Sequence, residues 1–262
     1  MERRQFLAGS IAAAALGHGA AGQAPSAAGH EFYLLRRYSL QSGPQTKLVE
    51  DYFAGALIPA LTRLGMGPIG AFRVDVGPET PSVYLLIPGP AVEALAQIDL
   101  LLAKDAEFVK SAEPFWSAPA TAPAFLRADS SLLAAFEGWP RLTRPPASAS
   151  KGKRILQLRI YESPSYRDHI VKVQMFHSGE FEIFKNAGFQ PIFFGDTLVG
   201  QRMPNLTYML SFADSAELDA KWNVFRNDPA WKKLSADPRF AFEAIVSNIT
   251  NLILSPLEAS QI

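Results

Sequence analysis

Phe176-His177-Ser178-Gly179-Glu180-Phe181 lies in the middle of a stretch, 165–187, whose apolar residues recur at helical spacing. The surroundings of this hexapeptide occur a second time, 123 residues upstream. At that one offset Leu35 meets Leu158, Arg36 meets Arg159, Tyr38 meets Tyr161, Phe53 meets Phe176 and Gly65 meets Gly188. Pro68-Ile69 meets Pro191-Ile192, Asp105 meets Asp228, Phe108 meets Trp231 and Lys110 meets Lys233, while Tyr84 and Tyr208 fall one residue out of step. So much agreement on a single offset reads as a tandem duplication. The upstream copy carries Ala54 where the downstream copy carries His177.

Working outward, each copy follows the same order. The first reads as a strand over 32–38, a helix over 44–64, strands at 68–76 and 82–87, a helix over 91–104, a helical turn near Phe108 and a last strand within 123–136. The second reads as a strand over 154–162, the helix 165–187, strands at 189–200 and 205–212, a helix over 215–226, a turn near Trp231 and a strand over 242–254. Gly65 and Gly188 close the two long helices, as glycine commonly does. Each order is β-α-β-β-α-β, a ferredoxin-like unit. The domains are therefore expected at 31–136 and 154–256, joined by a linker over 137–153 in which Pro140, Pro145 and Pro146 stand near Ser148 and Ser150. Two such sheets packed face to face give an α+β barrel closed within one chain, a pseudo-dimer; closure on a second copy, as a homodimer, is the other arrangement this length of linker allows.

Along 154–162 the side chains alternate. Leu156, Leu158 and Ile160 form one row, expected under the helices. Gln157, Arg159 and Tyr161 form the other, expected to face the partner sheet together with Arg36 and Tyr38.

Before the first strand, Arg3-Arg4-Gln5-Phe6-Leu7, an Ala-rich run and the small-x-small site Gly22-Gln23-Ala24 read as a twin-arginine-type export signal over 1–24. An unstructured tail over 25–30 follows, and the destination would be the periplasm or the cell exterior. Removal of 1–24 takes away Glu2, Arg3 and Arg4 and leaves 23 basic and 24 acidic side chains, a balance that favours neither nucleic acid nor an anionic membrane. No stretch is long and apolar enough to predict a membrane span. The absence of cysteine excludes disulfides, thiolate metal sites and a cysteine nucleophile.

Leu158-Arg159-Ile160-Tyr161, Gly188-Phe189-Gln190-Pro191, the segment Met203-Pro204-Asn205-Leu206-Thr207-Tyr208-Met209-Leu210 and the stretch Trp222 to Trp231 resemble the NIPSNAP family. The resemblance extends well over 154–254 and more weakly over 32–136, where Phe108 replaces the tryptophan. It implies the dimeric α+β barrel fold, in agreement with the element order. It implies no settled reaction, although that fold also serves cofactor-free monooxygenases and haem-processing proteins.

The candidate chemistry centres on His177. Counted as a regular helix, it shares a face with Ile170, Val173, Gln174, Phe181 and Phe184, so it is expected to point inward as a general base. Glu180 lies one turn on, and a metal site from His169, His177 and Glu180 is a thinner alternative, with only four histidines in the chain. Arg159, Tyr161, Arg202 and Tyr208 form a set suited to orienting an anion or a phenol. Their structural reading, favoured by the retention of Arg and Tyr in both copies, pairs Arg159 and Arg36 with acidic groups across the two halves. Trp222, Phe225 and Trp231 suit ligand stacking or plain core packing, and Phe193-Phe194 either line a pocket or fill it. Gly65-Met66-Gly67-Pro68-Ile69-Gly70 satisfies a dinucleotide spacing but runs from helix into strand, the wrong order for binding phosphates.

Two readings follow. The first is an exported protein that binds a small apolar or aromatic molecule, with proton-abstraction or oxygen chemistry assisted by His177, Arg159, Tyr161 and Arg202. The second is a non-catalytic scaffold whose aromatic segments meet a partner. No cofactor is legible.

Overall fold

The computed structural model describes residues 29–262. The stretch read as an export signal lies outside them. Strand β1 (Phe32–Ser39) leads into α1 (Pro44–Tyr52) and α2 (Ile58–Arg63), one continuous helix interrupted by a π turn at Phe53–Leu57. Strands β2 (Gly70–Val76) and β3 (Ser82–Gly89) follow, then α3 (Val92–Ala96), α4 (Ile98–Leu102), α5 (Ala106–Trp116) and β4 (Arg127–Ala135). A connection containing the short α6 (Pro146–Ala149) reaches β5 (Ile155–Glu162). Helices α7 (Tyr166–Met175) and α8 (Phe181–Asn186) again flank a π turn, at Phe176–Glu180. The chain ends with β6 (Gln190–Val199), β7 (Asn205–Phe212), α9 (Ser215–Asn227), α10 (Pro229–Ser235), α11 (Phe242–Ile245) and β8 (Asn248–Pro256).

Eight strands close one antiparallel barrel in the order β1-β3-β2-β8-β5-β7-β6-β4, with β4 returning to β1. The two halves meet along two seams, β2 with β8 and β4 with β6. Among the described residues no edge strand is left unpaired, the usual liability of an open sheet. The barrel therefore closes within one chain. Aspartates set the helix starts on its outside: Asp105, Asp214 and Asp228 each accept a backbone N–H of the first helical turn. Among the described residues no helix is long and apolar enough to cross a membrane.

The side-chain alternation holds, but the faces are exchanged relative to the sequence expectation. Leu156 and Leu158 point into the barrel with Leu35, Leu86, Phe193, Met209 and Leu254. Gln157, Arg159 and Tyr161 point outward beneath the helices, as do Arg36 and Tyr38. The physical reason is that apolar side chains fill the middle of the barrel, while inward polar groups such as Arg37 are confined to one end, where Glu79 and Asp129 pair with it. A polar row there would need a partner for every donor and acceptor. Under the helices the same row reaches open clefts and solvent.

The predicted strand over 242–254 begins only at Asn248, since residues 242–245 form α11. The turns near Phe108 and Trp231 are the helices α5 and α10.

Candidate functional site

A cleft of about 380 Å³ opens between β5 and β8 on one side and α9, α10 and α11 on the other. Its floor is Gln157, Arg159 and Tyr161 of β5 with Asn251 of β8, and its walls are Trp222, Phe225, Trp231 and Phe242. Period-2 alternation on β5 delivers the three floor residues to one face. The Arg159 guanidinium stacks 4.7 Å from the Trp222 ring centre and 5.2 Å from that of Tyr161. The Trp222 indole N–H donates to Gln157 at 2.7 Å, and the Gln157 amide donates to Asn251 at 2.9 Å, which locks the floor. Arg159 has no carboxylate within ion-pair distance among the described residues, and its Nε is buried without a partner. Burial disfavours its charge, yet the neighbouring Tyr208, Tyr161 and Glu180 more than offset this and hold the guanidinium above its ordinary pKa.

At the back of the cleft Lys172 donates to Glu180 at 2.8 Å, with side chains 1% and 4% exposed. The Lys172 ammonium also lies 4.4 Å from the Phe176 ring centre. The π turn brings this pair together. Gly179 lies within the turn at φ 141°, and Phe176 and Glu180 both face the core.

The same turn corrects the reading of His177. Counted back from the buried Phe184 through a regular helix, position 177 falls inward. The extra residue in a π turn rotates the face by about 100°, and Phe176 occupies that place instead. His177 is exposed and lies outside the cleft. Its Nε2 accepts from the Gly138 N–H at 3.2 Å, so its Nδ1–H donates to the Val173 carbonyl at 2.9 Å. The alternative metal set is also dispersed: His169 pairs with Asp196 at 2.7 Å, and Glu180 is held by Lys172.

Of the other residues singled out from the sequence, Glu180, Trp222 and Trp231 join Arg159 and Tyr161 in the cleft. Tyr208 sits directly behind, fully buried, its hydroxyl 3.0 Å from that of Tyr161. Arg202 lies elsewhere, at one end of the barrel with Arg37 and Tyr84, where it reaches Thr250 at 3.2 Å and Glu162 at 3.9 Å. Phe193 and Phe194 are completely buried on opposite faces of β6 and fill core. Lys172 and Asn251 were not picked out from the sequence, and Gln157 only as a member of the polar row of its strand.

The first half provides a comparison inside the same chain. Its equivalent cleft, about 420 Å³, has Arg36 and Tyr38 on the floor. There Arg36 grips Asp99 with two bonds of 2.9 and 2.8 Å. The acid lies in Arg36's own half, so the expected pairing across the halves is not what the structure has, and Arg159 has no acid within ion-pair distance among the described residues. At the 123-residue offset Asp99 corresponds to Trp222, Val49 to Lys172 and Leu57 to Glu180. Strand register adds a fourth difference. Arg36 stands opposite Leu85 and Arg159 opposite Tyr208, so Leu85, not Tyr84, is the counterpart of Tyr208. Both π turns fall on the same offset, Phe53–Leu57 and Phe176–Glu180.

No curated protein matches the chain. Among solved structures, a putative monooxygenase from Lactobacillus acidophilus NCFM aligns with 87% of this chain and 94% of its own, at TM-score 0.56 and 9% identity. A putative monooxygenase from Fusobacterium nucleatum aligns with 88% and 94%, at TM-score 0.53 and 9% identity. An anthrone oxidase-like protein aligns with 89% and 93%, at TM-score 0.51 and 11% identity. At such identities the likeness is one of fold. The sequence match is confined to the half that carries the open, arginine-floored cleft: residues 156–261 match the NIPSNAP family model.

Proposed function

We propose that the second-half cleft binds a small aromatic molecule carrying an anionic oxygen group. One observation carries this: Arg159 lies among aromatic rings with no carboxylate within ion-pair distance, Glu180 being held by Lys172 and Asp219 standing further along the wall, whereas its counterpart Arg36 is neutralised by Asp99. Lys172 and Glu180 cancel each other and Asp219 and Arg226 on the wall are of opposite sign, so the half-buried Arg159 leaves the cleft with one net positive charge. A half-buried charge with no ion-pair partner calls for a counter-ion, and flat Trp222 and Trp231 walls call for a ring. The names monooxygenase and anthrone oxidase-like on proteins of the same fold are compatible with an aromatic ligand. His177, exposed and outside the cleft, is no part of this reading.

The reading also takes the chain to be two ferredoxin-like units, 31–136 and 154–256, joined by 137–153 and derived from one duplicated ancestor. The shared offset of strands, π turns and capping aspartates supports it. The second unit then specialised for the ligand while the first kept the frame. Export through a twin-arginine route, resting on Arg3-Arg4 and the Ala-rich run, completes the proposal.

The test is a titration with 2-naphthoate, followed by quenching of tryptophan fluorescence, beside the neutral 2-naphthamide. Losing a hydrogen-bonded charge partner costs about 1.5–3 kcal/mol, roughly 10- to 100-fold in Kd. Arg159→Gln should weaken naphthoate binding by that factor and leave naphthamide unchanged. Equal naphthoate affinity in the variant, or none in the parent protein, refutes the assignment.

A further inference from the structure

The Tyr161 and Tyr208 hydroxyls form a pair with an uneven proton count. Each hydroxyl carries one proton and can accept from two donors. They lie 3.0 Å apart, and the one other group placed to hydrogen-bond with either is the Arg159 guanidinium, which is itself a donor and cannot take a proton from Tyr161. Tyr208 is fully buried, so its proton has only the Tyr161 oxygen to go to; the opposite arrangement would strand a buried donor. With that bond made, the Tyr161 proton has no acceptor among the described residues. Tyr161 lines the cleft, and Arg159, which has no ion-pair partner and keeps N–H groups to spare, stands over its ring. Two unspent donors thus converge on one place.

The first half lacks this device. Tyr38 matches Tyr161, but Leu85 stands where Tyr208 does, and Arg36 is spent on Asp99. Tyr208 is therefore not demanded by the fold, since an apolar residue fills the same register position in the same sheet.

Resting on the aromatic-anion reading above, we propose that the ligand is a phenol or enol bound as its oxyanion, held by Arg159 and the Tyr161 hydroxyl, with Tyr208 as the positioning residue that turns the Tyr161 proton into the cleft. The ligand's O–H proton leaves to bulk water through the open side of the cleft, and the anion stays between the two donors. A hydroxyl donor beside a guanidinium favours the ionised form of a bound phenol, because both groups bond more strongly to an oxyanion than to a neutral hydroxyl.

The probe is 4-nitrophenol, whose phenolate band reports its ionisation directly in a pH titration with the protein in excess. In the parent protein the bound phenol should ionise at least one pH unit below the free one, a tenfold preference for the anion. Tyr208→Phe, which keeps the ring and removes the proton, should reduce that shift, and Tyr161→Phe should reduce it further, the Arg159 charge accounting for what remains. Bound nitrophenol ionising at its solution value, or an undiminished shift in Tyr208→Phe, overturns the proposal. Naphthoate binding separates the two claims: if it persists and depends on Arg159 while the nitrophenol shift is absent, only the oxyanion device fails, and if it is absent from the parent protein the underlying anion site fails too.

Discussion

Breaking the Lys172–Glu180 pair from one side and from both should give opposite results. The two side chains are 1% and 4% exposed, and the ammonium lies 2.8 Å from the carboxylate. Glu180→Leu leaves a buried ammonium with only aromatic and thioether neighbours, and Lys172→Met leaves a buried carboxylate. Each single change should cost about 3–5 kcal/mol, a large share of the 5–15 kcal/mol typical of a folded domain. The double variant should be as stable as the parent or more stable by about 1–4 kcal/mol, because apolar groups of similar volume replace an expensive desolvated pair. The first half supports that sign, since Val49 and Leu57 occupy the corresponding positions at 0% and 2% exposure. The assay is urea denaturation of the parent, both singles and the double, with slopes compared to establish that the same transition is measured. Because the pair is buried, added salt should leave the pattern intact. A double variant that loses the sum of the two singles would refute the argument, since the ammonium and carboxylate would then be solvated independently.

Three further outcomes are expected. Gly179→Ala meets open space, its nearest side-chain atom being 4.0 Å away, but forces an L residue to φ 141°; it should cost about 1–3 kcal/mol in the same urea assay. Burial raises the pKa of Tyr33, Tyr38, Tyr52, Tyr84 and Tyr208, so these phenols stay protonated in the folded chain after the unfolded chain has begun to ionise. Their contribution to stability is complete below the ordinary tyrosine pKa of about 10 and is lost as pH rises beyond it; an ultraviolet titration should show the five ionising together with unfolding, and free ionisation of the native protein would contradict this. Asp99→Ala releases Arg36 in the first-half cleft and removes a partly exposed pair worth about 1 kcal/mol or less, so it should add a second, weaker naphthoate site, read as a change of stoichiometry from one to two.

Much of this architecture was legible because it depends on counting. Alternation placed Gln157, Arg159 and Tyr161 in one row, and the 123-residue offset aligned strands, helices and the capping aspartates Asp105 and Asp228. What alternation cannot say is which row looks inward. A polar row is compatible with a ligand-filled barrel or with a cleft outside a dry one, and the choice depends on closure of all eight strands. His177 was misplaced because periodicity assumes a constant pitch, which the π turn at Phe176–Glu180 breaks. Tyr208 was matched to Tyr84 by residue identity, whereas the ladder pairs Arg159 with Tyr208 and Arg36 with Leu85. Lys172 went unnoticed although a signal existed: the offset sets it against Val49, and Glu180 against Leu57, two charges in place of two apolar groups.

The seams of the barrel bear on how the two halves can change. β2 meets β8 and β4 meets β6 through backbone hydrogen bonds, which are indifferent to side-chain identity. The clefts lie on the far side of each sheet, under its own helices. Substitutions there leave the seams untouched, so one half is free to explore new chemistry while the other acts as its permanent splint. The cost of that freedom is independence: cut within 137–153, each half would present two bare sheet edges to solvent, and neither would hold its shape without the other.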